Sequence, residues 1–346
     1  MIVAHHYVVN SGLMDESGLL TIDSSSANSV YLRLFGAWGK TGINCFLMIT
    51  GYFMCTSQIT LRKFIKLFIQ ILFYNIIIYS LFLATGHEIL SLRHIIPVLI
   101  PFWGFKTGFV SCFIAFYLTI PFWNILIKNM TERQHQLLLL LLLTCYTFLG
   151  SVPTFELSFN YITWFGVIYV MASYIRLYPH PLFCRKKMWG IVSLISILFA
   201  ITSIVIMQIY FKSGYYFVAD SNKFFAVFVA LSTFLWFKNL NIKYNKVINT
   251  FGAATFGVLL IHANSDAMRT WLWKDTVDVV GHSSLPLWNL VVYSVGVVIV
   301  VFLICNLIDQ IRLLTIEKWF FDWYDKKLSV KTDALVKIFK ILKRNG

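Results

Sequence analysis

The sequence predicts an all-α fold: a polytopic integral membrane helix bundle of about ten spans, the first incomplete. Three observations carry this: apolar composition, hydrophobic runs of bilayer length, and loops that alternate in charge. Of 346 residues, 58% are hydrophobic and 13% charged, with a mean hydropathy of +0.74. Soluble domains hold about 45–50% apolar and about 25% charged residues. The chain has room for about ten runs of roughly 20 residues joined by short loops. The net charge of +14 does not point to nucleic acid. Its basic residues fall in short clusters between apolar runs and leave no soluble region to present a basic face.

The first run, 1–9, carries no start cap or basic flank and ends its apolar part at His5 and His6. A polar loop at 10–29 follows, with Asp15, Glu16 and Asp23. Apolar runs then fall at about 31–55, 64–84, 107–127, 136–151, 159–178, 188–210, 222–238, 248–267 and 286–309. The stretch 95–103 holds Pro97 and Pro101 and is too short to span, so it reads as interfacial or re-entrant.

Loop charge orients these runs. Arg62, Lys63 and Lys66 mark one side, as do Lys128 with Arg133, Arg176 with Arg185 to Lys187, and Lys238 with Lys243 and Lys246. The opposite loops hold Glu88, Glu156, Asp220, Asp275 and Asp278. Basic loops face the cytoplasm, so both termini are expected there, with His5 and His6 near the outer end of the first span. Residues 1–309 form the membrane domain and 310–346 a basic amphipathic cytoplasmic tail. In that tail Trp319, Phe320, Trp323 and Tyr324 interleave with Lys318, Lys326 and Lys327, and 334–343 carries Lys337, Lys340 and Lys343. Such a segment suits an anionic leaflet surface.

Six cysteines are scattered without ligand spacing, which gives neither a disulfide framework nor a metal site. No basic region with a small-residue cleavage site opens the chain, so no cleavable signal peptide is expected. GxSxG, Walker and HExxH patterns are missing from the sequence.

Four groups of residues remain as carriers of chemistry. His5 and His6 come first, because a neutral imidazole can take a proton from a hydroxyl attacking a carbonyl. A water-satisfied polar pair at a helix end explains them equally well. Lys40 and Asn44 lie one turn apart inside a span, where a lysine is costly unless it snorkels to the boundary. Arg62, Lys63 and Lys66 could clamp a phosphate-bearing ligand, or serve only topology. His262, Asp266 and Arg269 at i, i+4, i+7 are expected on one helix face, as a histidine oriented by an Asp–Arg pair or as a helix-end salt bridge.

At these residues the chain resembles the acyltransferase-3 family, bacterial integral-membrane O-acyltransferases of surface glycans. The segment Met1 to His6 is similar to the end of the family's first helix, where an Arg precedes the catalytic His. That Arg would fall ahead of Met1, so the resemblance implies an N-terminally truncated chain. Gly42 to Phe46 with Ile49 to Phe53, Phe109 to Tyr117 with Pro121 to Asn124, and Phe256 to His262 resemble further family motifs in order; Trp164 to Tyr169 adds a weaker match.

The resemblance implies an acyl-CoA-dependent O-acetyltransferase acting on sugar hydroxyls of a cell-surface or exopolysaccharide precursor, in the bacterial inner membrane. It implies His6, or else His5, as base, and Arg62, Lys63 and Lys66 at the acyl-CoA phosphates. Lys40, Asn44, His262 and Asp266 would orient the reactants. Acetyl-CoA is then a co-substrate, with no permanently bound cofactor. The partners are a glycan or lipid-linked sugar and the bilayer, and the oligomeric state stays open. A lipid-linked glycan flippase, or a non-catalytic membrane partner of a glycan synthase, is the rival expectation.

Overall fold

The computed structural model describes residues 1–14, 20–21, 26–104, 108–155, 159–211 and 215–328. The loop acids Asp15, Glu16, Asp23 and Glu156, and the tail stretch 334–343, lie outside the described residues. Those described form helices, with one isolated bridge between Met14 and Leu20.

The first half of the chain gives α1 (Ile2–Val9), α2 (Ala27–Gly36), α3 (Gly39–Met54), α4 (Leu61–Ala84), α5 (Leu92–Leu99), α6 (Phe109–Lys128) and α7 (Glu132–Leu143). The second half gives α8 (Tyr161–Leu177), α9 (Lys186–Phe211), α10 (Phe224–Lys238), α11 (Lys246–Ala253), α12 (Thr255–His262) and α13 (Asp266–Thr270). It closes with α14 (Val279–His282), α15 (Leu287–Arg312) and α16 (Lys318–Leu328). Side-chain caps fix several starts, as expected for polar residues ahead of apolar runs. Thr60 accepts from Lys63 N at α4, and Thr131 and Gln134 close a reciprocal capping box at α7.

Five described helices are long and apolar enough to cross a bilayer, and six if the bent pair Lys246–His262 and Asp266–Thr276 counts as one. The all-α bundle stands, with fewer full-length spans than the ten expected. The shortfall has physical causes. α8 and α10 have 17 and 15 residues. At 1.5 Å per residue these reach about 23–26 Å, short of a core of about 30 Å. α8 is nevertheless buried on almost every side, so it serves as an internal post.

The expected second span, 31–55, is broken at Ala37–Trp38 into α2 and α3. The expected ninth, 248–267, turns by 95° after His262. The expected boundary at 309/310 falls inside a helix running from Leu287 to Lys326 through a π-turn at Leu313–Glu317. Sequence 95–103 meets its expectation of a short element, because α5 is eight residues long with Pro97 inside it.

Two large apolar clusters make most of the core, beside a small third one at Ala37, Ile204 and Val218. One joins α1, α4, α12 and α15 through residues such as Tyr7, Tyr74, Leu260 and Val301. The other joins α3, α6, α8 and α10 through Met48, Phe116, Trp164 and Ala230. Phe256 and Leu67 pack against both, and the candidate site opens between them.

A buried ionic knot ties α15 to α4. Asp309 is fully buried and accepts from Tyr74 Oη at 2.7 Å and Arg312 Nε at 2.7 Å. Arg312 in turn donates to Glu317 at 2.7 Å, and Lys66 Nζ reaches Glu317 at 2.6 Å. Gly257 of α12 lies against the Asp309 carboxyl so closely that any β-carbon there would collide with it. This glycine is required by approach, since the charged pair occupies the space a side chain would need.

Candidate active site

The break between α2 and α3 is where the site begins. A helix end leaves carbonyls without partners, and Gly36, the last residue of α2, presents one. His5 Nδ1 donates to that Gly36 oxygen at 2.7 Å. The His5 ring also lies against Gly39, where a β-carbon would strike the imidazole. α1 therefore crosses the start of α3 at the closest approach a glycine permits. Both of the histidines predicted from sequence, His5 and His6, are half-buried and line one cavity of about 510 Å³.

His6 faces a second imidazole. Its Nδ1 lies 2.9 Å from His262 Nε2, and His262 Nδ1 lies 2.6 Å from the Val258 carbonyl. A carbonyl only accepts, so the proton must sit on His262 Nδ1. Neutral His262 then accepts at Nε2, and His6 must donate from Nδ1. The tautomer of His6 follows from the network: in neutral His6 the Nε2 lone pair is free. His262 is completely buried behind His6, with its ring edge toward Trp273. It does not line the cavity, and it meets the site only through its hydrogen bond to His6.

Lys40 also lines the cavity. It is the second residue of α3, where the helix dipole disfavours a cation. Its Nζ donates to Tyr161 Oη at 2.9 Å and lies over the same ring at 5.6 Å. Tyr161 opens α8 behind the Asn160 cap and brings a phenol to the wall. Lysine and phenol together put two hydrogen-bond donors on the wall that the histidines line.

Two expected orienting residues lie elsewhere. Asn44 is fully buried and gives its amide to Ser221 O at 2.7 Å and Ala226 O at 3.2 Å. It accepts from Trp164 Nε1 at 2.9 Å. Its bonds hold α3 to α8 and α10, and it does not reach the cavity. Asp266 is corrected for a different reason. The 95° bend removes it from the face of His262, and its side chain is 97% exposed, paired to Arg269 at 2.9 Å. The helix-end salt bridge is therefore what the structure contains. Arg269 itself swings back to line the cavity.

The basic trio lies apart from this cavity. Arg62 makes a two-pronged contact with Asp325, at 3.2 and 3.0 Å, and its guanidinium stacks on Phe321 at 4.5 Å. Lys66 pairs with Glu317, and Lys63 donates to Ser57 Oγ and Gln58 O. Arg62 and Lys66 line a smaller pocket of about 320 Å³ with Lys318 and Phe321. These cations already hold carboxylates of the α15–α16 helix, which the sequence did not foretell.

Sequence reading missed Tyr161 and Asn75, which line the His6 cavity with Asn264. Asn264 Nδ2 donates to Asn75 Oδ1 at 3.1 Å, joining α4 to the bend after α12. Only an amide inside an apolar span marked Asn75 in advance.

The profile of the acyltransferase-3 family, described as an acyltransferase domain, matches residues 1–306. Comparison with curated proteins and with solved structures gives no match. The profile spans most of the chain, and the chain belongs to that family.

Proposed function

We propose that this membrane acyltransferase moves an acetyl group from acetyl-CoA to a hydroxyl of a cell-surface or exopolysaccharide precursor, in the inner membrane of a bacterium with both termini cytoplasmic. The single observation carrying the chemistry is the chain Val258 O, His262, His6, which leaves His6 Nε2 unprotonated in a cavity. The acceptor hydroxyl gives its proton to that nitrogen while its oxygen attacks the thioester carbonyl. His6, now charged, keeps its Nδ1 proton on His262. Negative charge builds on the carbonyl oxygen, and Lys40 with Tyr161 supplies the donors facing it. The intermediate collapses, the carbon–sulfur bond breaks, and the thiolate takes the proton from His6. Ester and free CoA result.

Arg62, Lys63 and Lys66 are retained in this proposal as the phosphate site for acyl-CoA, in an altered form. Phosphate oxygens must replace Asp325 and Glu317 there. The Arg62–Asp325 pair is half exposed on both sides, and such pairs contribute about 0–1 kcal/mol, so exchange at Arg62 is cheap, whereas Glu317 stays held by Arg312 when Lys66 turns to a phosphate. The test is transfer of labelled acetyl from acetyl-CoA to membrane glycan by the chain and by His6→Ala. Loss of transfer with normal membrane abundance supports the reading, and equal transfer rejects it.

A further inference from the structure

The cavity wall carries two cations, Lys40 and Arg269, and no carboxylate among the described residues. Lys40 is engaged with Tyr161 beside the histidines. Arg269 stands on the side made by the bend after α12, next to Asn264. One hydrogen bond holds its head, from Nη1 to Asp266, and that carboxylate is almost fully solvated. An acid so open to water is a weak partner. The Arg269 Nε–H is buried and has no hydrogen-bond partner among the described residues. A buried donor left unmade is costly, and the guanidinium fork matches planar or tetrahedral oxyanions. The wall thus holds a guanidinium with one of its donors unmet in the same cavity as His6.

We propose that Arg269 binds an oxyanion carried by the acceptor, so the acceptor is a phosphate- or carboxylate-bearing saccharide and not a neutral one. This rests on the reading of the His6 cavity as the site of acyl transfer. The Arg269 side chain is 39% exposed and turns to present its now buried Nε together with Nη2 to the anionic group. A hydroxyl elsewhere on the same sugar is then presented to His6. Arg269 acts on acceptor selection, and the proton transfer stays with His6.

Binding tests this without turnover. Trp103 stands in the same wall, so tryptophan fluorescence of the detergent-solubilised chain follows occupancy. The probes are glucose 1-phosphate, glucuronate, methyl glucoside, CoA and pantetheine. The expected result is tighter binding of one or both anionic sugars than of methyl glucoside. Arg269→Gln weakens that binding about tenfold to a hundredfold, the scale of a hydrogen bond to a charged group, and Arg269→Lys restores part of it.

Asp266→Ala leaves the anionic sugars bound as well or better. If Asp266→Ala and Arg269→Gln weaken binding alike, Arg269 serves only the salt bridge, and the proposal is overturned. It is equally overturned if charged and neutral sugars bind alike, or if Arg269→Gln weakens CoA relative to pantetheine and spares the sugars, which assigns the fork to the donor. Arg269-dependent sugar binding in a chain that transfers no acetyl would sink the acyltransferase mechanism and leave the anion site standing.

Discussion

His262 Nε2 stands 2.9 Å from His6 Nδ1, and the same ring is anchored at 2.6 Å to the Val258 carbonyl. The second imidazole fixes which nitrogen of the first is free. His262→Ala is therefore expected to lower kcat about 10- to 100-fold, the scale seen when a metal-bound histidine loses its orienting partner, with little change in KM. His262→Gln, which can return an acceptor oxygen, should recover part of the loss. Steady-state kinetics with acetyl-CoA separate the two parameters. An equal rise in KM would assign His262 to binding.

Lys40 and Tyr161 form one donor unit. Removing a donor from developing negative charge costs about 100- to 1000-fold in kcat, so Tyr161→Phe and Lys40→Met should each fall in that range. Their effects should not add in the double variant, because the two groups are hydrogen-bonded to each other. Fully additive losses would show that they act separately.

The buried pair Asp309–Arg312 makes a stability prediction. Arg312→Ala leaves a carboxylate buried without its cation, which costs about 3–5 kcal/mol. A marked fall in the thermal midpoint in detergent is expected. The joint change Asp309→Leu with Arg312→Met should recover much of it, since an apolar pair needs no compensation. Gly257→Ala should destabilise too, because its methyl collides with the Asp309 carboxyl. Thermal midpoints of these variants check both statements.

Glu317 and Asp325 occupy the cations proposed for acyl-CoA phosphates. Asp325→Asn should lower KM for acetyl-CoA by about twofold to fivefold, the scale of an exposed ion pair. KM for acetyl-pantetheine, which lacks those phosphates, should not move. A KM for acetyl-CoA that rises or stays fixed would remove Arg62 from donor binding.

Composition and run length made the helical membrane class legible, and the costly placement of His5, His6, His262 and Lys40 in apolar runs drew attention to them. What linear spacing concealed was the breaks. Continuous periodicity put Asp266 on the face of His262, but the chain turns by 95° between them. It put Asn44 beside Lys40, yet Asn44 is spent on the backbone carbonyls of Ser221, ahead of α10, and Ala226, within it. The 2.9 Å contact joining His6 to His262 spans 256 residues of sequence, and no local pattern encodes such a pairing. Likewise Asp325 and Glu317 gave no sign that they would cover Arg62 and Lys66, because ion pairing across helices depends on where a helix ends.

The most direct test is acetyl transfer from acetyl-CoA to glycan by membranes carrying the chain or its single variants His5→Ala and His6→Ala, each at matched abundance. The account predicts transfer by the unsubstituted chain, collapse toward background in His6→Ala, and a smaller loss in His5→Ala. Undiminished transfer without the His6 imidazole would contradict it.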